Sequence, residues 1–167
     1  MRVLKALPIL VLLAGAWPQA NAAADFITIH RGQLDMGDSV PSLVLGFTLP
    51  PNFDRLGTIP NSAVLDLTVL GSRFDFNEVY INPPIASCTD NDADPNEENS
   101  LGALQEHDDD KLKTEWATNH IAFSSFLMNA GSNQLLFCVR SREGNVGDGG
   151  LDDVSIKSVV LHYHTTR

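Results

Sequence analysis

The segment from Gln134 to Arg140 constrains the fold of this chain more than any other. Its odd-numbered residues from Leu135 to Val139 are apolar, and so are Leu136 and Cys138 between them. Because side chains alternate between the two faces of a strand, this strand is apolar on both faces. Such a strand belongs in the interior of a sheet whose far side is also covered. The sequence therefore predicts a layered β-structure built around it.

Other segments show the period of two that is typical of half-buried strands. Ser42 to Leu49 is the clearest, because its odd-numbered residues are all large and apolar and Pro50 ends it. Helical periodicity is almost absent. Seven or eight strands separated by turns predict an all-β chain, an antiparallel β-sandwich. The remaining strands are predicted at 26–30, 63–70, 76–82, 116–128 and 154–163.

Two local features refine this prediction. The residues around Asp35 and Asp38, with nearby glycines at 32 and 37, predict a loop after the first strand. In the last strand the apolar residues change parity near Lys157 and Ser158, which predicts a β-bulge.

Residues Met1–Ala22 have the pattern of a cleaved export signal. Arg2 and Lys5 precede an apolar run, and a small-x-small cleavage site ends at Ala22. The run is too short to span a bilayer, and no second run of 18 apolar residues follows. We expect an exported protein, periplasmic or secreted, with one sandwich domain over residues 23–167 and no membrane span. An uncleaved anchor is the alternative.

The charge balance limits the classes of partner. The chain has 11 basic and 21 acidic side chains, a net charge of −10. Such a chain repels phosphate backbones and anionic lipids, so we expect no nucleic-acid partner. Two cysteines in an exported chain are most simply explained by one disulfide, between Cys88 and Cys138.

The segment from residue 83 to residue 115 is rich in acidic side chains and poor in apolar ones, which predicts a long acidic loop. Within it Asp90, Asp92 and Asp94 alternate, and converging carboxylates are the ligands that Ca²⁺ prefers. Pro95 stands where an EF-hand loop has its glycine, so the segment is not of that type. The alternative to a calcium site is a solvated acidic loop.

Four motifs follow one another from about residue 76 to residue 163: Glu78-Val-Tyr-Ile-Asn82, Leu101-Gly-Ala-Leu104, Leu127 with Gly131-Ser-Asn-Gln-Leu135, and Leu151-Asp-Asp-Val-Ser-Ile156. Their order resembles that in the galactose-binding-like jelly rolls, a superfamily that includes carbohydrate-binding modules. The chain differs from them in the two prolines after Asn82 and in the acidic insertion.

The resemblance implies a second calcium site. In such modules an acidic residue at the position of Asp152 and Asp153 often holds a structural calcium ion, with partners from an early loop. Asp35 and Asp38 are the candidates for those partners. The alternative is that an Asp side chain caps the turn that precedes the last strand.

Few residues suggest other chemistry. His162 and His164 alternate in the last strand and so share a face, but a transition metal would need a third ligand. The common nucleophile, zinc-protease and phosphate-loop motifs are absent. Among the aromatic residues, Trp116 and Tyr80 are the candidates for a sugar-stacking platform, and packing under the long loop is the alternative for Trp116.

These observations predict a non-catalytic binding or adhesion module. By resemblance, a neutral glycan is the expected ligand class. The alternative is a structural subunit of an envelope or extracellular assembly that binds protein surfaces, and a hydrolase is the third possibility. An exposed aromatic cluster would favour sugar binding, whereas a long unpaired edge strand would favour assembly.

Overall fold

The computed structural model describes residues 22–55, 63–72, 77–84, 87–88, 99–104, 115–141 and 150–166. These residues form two antiparallel sheets of four strands each, so the predicted β-sandwich is confirmed. Between β6 and β7 the chain forms a 3-10 turn, Ser125–Leu127. The strands are β1 (Ala22–Met36), β2 (Ser42–Leu49), β3 (Ala63–Leu70), β4 (Glu78–Ile81), β5 (Ser100–Ala103), β6 (Ala117–Phe123), β7 (Gly131–Cys138) and β8 (Val154–Thr166).

The first sheet has the order β1-β8-β3-β6, and the second has the order β2-β7-β4-β5. The pairs β1–β8, β2–β7, β3–β6 and β4–β5 are those of a long hairpin wrapped into two layers. β7 lies between β2 and β4, inside its sheet, as its two apolar faces predicted. The edges of the first sheet are β1 and β6.

The core lies between the two sheets. The inward residues of β2 and β3 include the alternating apolar sets predicted from the sequence, such as Phe47 and Leu49 or Leu65 and Leu67. Phe137 of β7 is fully buried against them. On the other side of β7, Leu136 and Cys138 form a small separate cluster, with Tyr80 and Cys88 packed over them. Both faces of the central strand are therefore covered.

β1 is the largest departure from the predicted strands. The loop predicted around Asp35 is wrong, because residues 31–36 continue β1 and pair with β8. β8 is long enough to offer a partner along this whole length. Two register shifts, between Thr28 and His30 and between His30 and Gln33, accommodate the residues of β1 that have no partner in β8. Asp38 does lie in a turn, between the bridged residues 37 and 40.

The predicted bulge in the last strand is confirmed. Ser158 has a φ of 57°, in the left-handed region, and the β3–β8 register shifts between Asp66 and Thr68 beside it. The extra residue restores the inward direction of Val159 and Leu161, which are both buried.

The strand predicted at 116–128 ends earlier, at Phe123. Ser124 then caps the 3-10 turn, its hydroxyl accepting a hydrogen bond from the Phe126 amide. β7 begins at Gly131, whose φ of 95° makes the turn that the polar cluster predicted. Because the turn is shorter than the sequence suggested, Asn133 becomes part of the strand and is buried.

The predicted disulfide is confirmed. Cys88 and Cys138 are bonded, with Cα atoms 5.6 Å apart and 50 residues of sequence separation. The bond fixes the start of the acidic segment to the outer side of β7. That segment is not wholly a loop, since β5 (Ser100–Ala103) lies within it. In the described parts of the chain, no helix is long and apolar enough to cross a membrane.

We predict that the oxidised protein, denatured without reductant, shows no reactive thiol in a thiol titration. Closing a loop of 50 residues stabilises the folded state by about 4 kcal/mol in the chain-entropy model. The double variant Cys88→Ala/Cys138→Ala should lose stability of that order in chemical denaturation. Two reactive thiols per chain in the oxidised protein would contradict the assignment.

A second prediction concerns Gly71, which has a φ of 87° and lies against the backbone of Asp153. A Cβ placed on Gly71 would be 2.2 Å from the Asp153 carbonyl oxygen, so Gly71→Ala forces the two segments apart. Gly131, with a φ of 95° and no atom near its added Cβ, is the matched control for backbone strain alone. We expect Gly71→Ala to cost more unfolding free energy than Gly131→Ala, by about 1–3 kcal/mol. Equal losses in denaturant titrations would contradict the close packing at Gly71.

Candidate functional site

The exposed side of the first sheet, here called the outer face, joins polar side chains from three adjacent strands. Asp66 lies on β3, directly opposite His120 on β6, and diagonal to His162 on β8. His120 Nδ1 is 2.7 Å from Asp66 Oδ1, and His162 Nε2 is 3.0 Å from Asp66 Oδ2. Each oxygen of one carboxylate therefore has its own imidazole. The three side chains remain open to solvent, with 67, 28 and 48% exposure for His120, Asp66 and His162.

Phe26 extends this row to the edge strand β1. It pairs with His162 across the β1–β8 ladder, and the two ring centroids are 6.1 Å apart. The Phe26 side chain is 62% exposed, an unusual position for a large apolar ring. Because neighbouring strands are about 4.8 Å apart, the row from Phe26 to His120 spans roughly 14 Å across the sheet.

Trp116 lies beside the first residue of β6 and is half-buried. The ammonium group of Lys157, on β8, is 3.7 Å from the centre of its ring. Since β3 lies between β6 and β8, this contact reaches across β3, and both side chains belong to the same face of the sheet. The cation–π contact occupies one face of the indole, so a sugar would have to displace Lys157 to stack there.

The outer face offers hydrogen-bonding groups and an apolar ring, and among the described residues it pairs one carboxylate, that of Asp66, with two imidazoles. Asp66 bonded to His120 Nδ1 resembles the carboxylate–imidazole half of a catalytic triad, with Nε2 left for a proton donor. The residues next to this pair on the ladder are Thr68 and Thr118, and they face each other rather than the imidazole in the strand register. A flat face with exposed imidazoles also does not exclude water, which acyl-transfer sites require.

Tyr80, the other predicted platform, is buried at 4% exposure and offers no ring face to a ligand. Its hydroxyl donates to Glu78 and accepts a 3.2 Å hydrogen bond from Arg140. Arg140 is itself buried and lies 3.6 Å from the Glu78 carboxylate. This polar group lies on the same side of the second sheet as the disulfide cluster. Tyr80 is buried because the chain at Cys88 packs over it, a tertiary contact that the sequence did not show.

The side chain of Asp152, just before β8, is buried and is not open to a cation from solvent. Its Oδ2 accepts a 2.8 Å hydrogen bond from the side chain of Asn77, which also donates to Ser72. The side-chain oxygen Oδ1 of Asn77 in turn accepts from the Arg140 backbone amide at 3.0 Å. Asp152 therefore joins the segment before β8 to the segment before β4 through a long-range side-chain hydrogen bond.

The other predicted calcium ligands, Asp35, Asp38 and Asp153, lie on segments close to Asp152. Asp38 caps the backbone, accepting from the Leu151 amide at 2.7 Å. Asp35 accepts from the Ser155 hydroxyl at 2.6 Å and from Gln33, and these two hydrogen bonds hold the pKa of Asp35 below its usual value. Asp153 is exposed, and the close approach of glycine 37 leaves little room beside its carboxylate. The segments that carry the four acidic residues thus adjoin one another, and Asp35, Asp38 and Asp152 are each bonded to protein donors.

Within the described ranges, no group of three or more His, Cys, Asp or Glu side chains is arranged to hold a metal ion. Asp90, Asp92 and Asp94, the other predicted calcium ligands, lie outside those ranges. His162 and His164 share the outer face, as their spacing predicted, but the residue that the structure joins to His162 is Asp66.

Sequence reasoning missed Phe26, Asp66 and His120 as site residues. The available signal was parity: each occupies an outward position in a strand whose inward residues are mostly apolar, where a large exposed ring or a charge can be noticed. What could not be seen was adjacency, because β3, β6 and β8 are far apart in the sequence and only the sheet order places them together.

Known proteins do not assign a family to this site. No family model matches the chain, and no curated protein is similar enough to count as a relative. Its function therefore has to be inferred from the outer face itself.

Proposed function

We propose that this protein is an exported, non-catalytic binding module whose ligand surface is the outer face, with a neutral carbohydrate as the ligand class. The proposal rests on one observation: Phe26, 62% exposed, adjoins hydrogen-bonding groups of His162, Asp66 and His120 on paired strands. A sugar ring presents an apolar face that packs on an aromatic ring and hydroxyls that bond to carboxylates and imidazoles. Paired strands hold such groups more precisely than loops do.

The strand order supports the jelly-roll interpretation. The first strand pairs with the eighth, the second with the seventh, the third with the sixth and the fourth with the fifth. A double-sheet jelly roll of eight strands uses this wrapping. We infer that the chain has that topology, in agreement with the resemblance to galactose-binding-like modules, which itself carries no function with it.

A structural subunit is the second candidate, and a specific observation favours it. β1 has 15 residues and, among the described strands, forms an edge of the first sheet, so no other described strand pairs with one side of it and that side could pair with another chain. A subunit of this kind would be recovered in large assemblies, whereas a glycan-binding module would be recovered as a small particle that a soluble sugar can occupy.

We predict that Phe26→Ala weakens glycan binding by about tenfold, equivalent to roughly 1.4 kcal/mol, because the stacking ring is lost. A glycan array would first identify a binding neutral oligosaccharide, and titration calorimetry would then compare the variants. Phe126→Ala is the matched control, since Phe126 is 54% exposed but lies in the 3-10 turn, outside the outer face. Both variants should melt near the parent temperature, as exposed substitutions usually do.

Equal affinity of the parent and Phe26→Ala would remove the outer face as the binding surface. Hydrolysis is tested by incubating the protein with the same oligosaccharide and measuring released products over time. Release of reducing ends that Asp66→Asn abolishes would mean that the carboxylate–imidazole pair is catalytic, and would overturn the non-catalytic assignment in favour of a hydrolase.

We also propose that calcium stabilises the protein, through the acidic corner of Asp35, Asp38, Asp152 and Asp153 or through the Asp90, Asp92 and Asp94 segment. The corner is supported by the adjacency of the segments that carry these residues, since Asp38 accepts from the Leu151 amide and Asp35 accepts from the Ser155 hydroxyl. Oxygen ligands of this type suit a hard cation.

Thermal melts in chelator and in millimolar calcium test this prediction. Calcium at 100 times its dissociation constant adds about 2.7 kcal/mol of stability, which is visible as a higher Tm. Asp153→Ala should abolish the shift if the corner binds calcium, and Asp92→Ala should abolish it if the acidic segment does. Asp152→Ala should lower the Tm even in chelator, because it removes the acceptor of Asn77. Identical parent melts in the two conditions would exclude a stabilising calcium ion.

A further inference from the structure

The edge strand β1 has two unlike halves. From Ala22 to Thr28 it pairs with β8 residue for residue, from Thr166 to Val160, without a register shift. From Thr28 onward the two shifts bulge the strand, and Gly32 has a φ of 104°. Bulges of this kind protect an edge against pairing with other chains. The first half has no such protection among the described residues.

The side chains of this regular half leave an apolar group at the edge. Phe26 is 62% exposed, and its ring lies 6.1 Å from that of His162 on β8. Its near neighbours along the strand are small or neutral, with alanines at 23 and 24 and Thr28 two residues on. Asp25 is the one charged side chain in the segment.

We propose that this half of β1 pairs antiparallel with the same segment of a second copy of the chain, across a two-fold axis that passes beside Phe26. An antiparallel edge strand is its own hydrogen-bonding complement, so a two-fold pairing satisfies the free backbone groups of both copies at once. The two Phe26 rings then lie opposite one another, and aromatic cross-strand pairs are among the more stabilising ones.

Steric fit and charge select this register. With Phe26 opposite Phe26, Ala24 of each copy faces Thr28 of the other, and Asp25 faces Ile27. Moving the axis by one residue toward the amino terminus would place the two Asp25 carboxylates directly opposite, which is destabilising. A foreign strand would have to supply the same small and aromatic sequence, whereas the second copy has it by identity.

The dimer would have one continuous eight-stranded sheet. Because a two-fold axis perpendicular to the sheet keeps both outer faces on the same side, the rows of Phe26, His162, Asp66 and His120 would join at the axis. The inference goes beyond the proposed function and does not depend on it, since an edge can dimerise whether or not the face binds a sugar.

Sedimentation at increasing protein concentration tests the oligomeric state. Engineered thiols test whether β1 is the interface and which residues of the two copies face each other. Both native cysteines are in the disulfide, so an added cysteine is the one free thiol. Under mild oxidation Phe26→Cys should cross-link to itself. Ala24→Cys and Thr28→Cys should each remain uncross-linked alone but give cross-linked dimers when mixed, because each faces the other in this register. Thr118→Cys, on the opposite edge strand β6, is the matched control and should remain monomeric in denaturing gels.

Salt gives an independent readout. With a net charge of −10 the two copies repel each other, so the dimer dissociation constant should fall as screening increases. A particle with the mass of one chain at every concentration would overturn the proposal, as would a dimer that cross-links through Thr118→Cys but not through β1. A dimer in which Ala24→Cys cross-links to itself, without Thr28→Cys, would overturn the register. Each variant is checked first by its thermal melt.

Discussion

The covering of both faces of β7 is the constraint on which the rest of the structure depends. One face packs into the sandwich core through Phe137 and its neighbours, and the first sheet supplies the opposite layer. The other face would expose Leu136 and Cys138 to water if nothing lay over it. The chain at Cys88 covers it, and the disulfide fixes that cover in place. Each buried methylene group contributes about 0.8 kcal/mol, so this cover matters to stability.

Because of this cover, the outer sides of the two sheets differ: one is buried and the other is exposed. The outer side of the second sheet is occupied by the cluster around Tyr80 and the buried Arg140, so it is used for structure. The outer side of the first sheet has no such cover in the described parts of the chain, and its polar row stays exposed. A face that is rigid, open and chemically mixed suits binding, whereas a reaction that must exclude water needs a closed site.

The acidic corner shows how the same residues can serve either function or folding. The resemblance grouped Asp152 and Asp153 with Asp35 and Asp38, and in the structure the backbone segments that carry these residues are paired or hydrogen-bonded to each other. Yet Asp152 bonds to Asn77, and Asp38 bonds to a backbone amide, so these carboxylates also join segments from different parts of the chain. A buried carboxylate without such donors would cost more than the folding of a small domain can offset.

The sequence by itself determined seven of the eight strands, the interior position of β7, the bulge at Ser158 and the disulfide, because each follows from local parity or from cysteine chemistry. It did not determine the length of β1, since a loop-like sequence becomes a strand when a long partner such as β8 is beside it. The burial of Tyr80 and the meeting of Asp66 with two histidines depended on sheet order. Such contacts join residues distant in the chain, and only the tertiary structure decides which strands become neighbours.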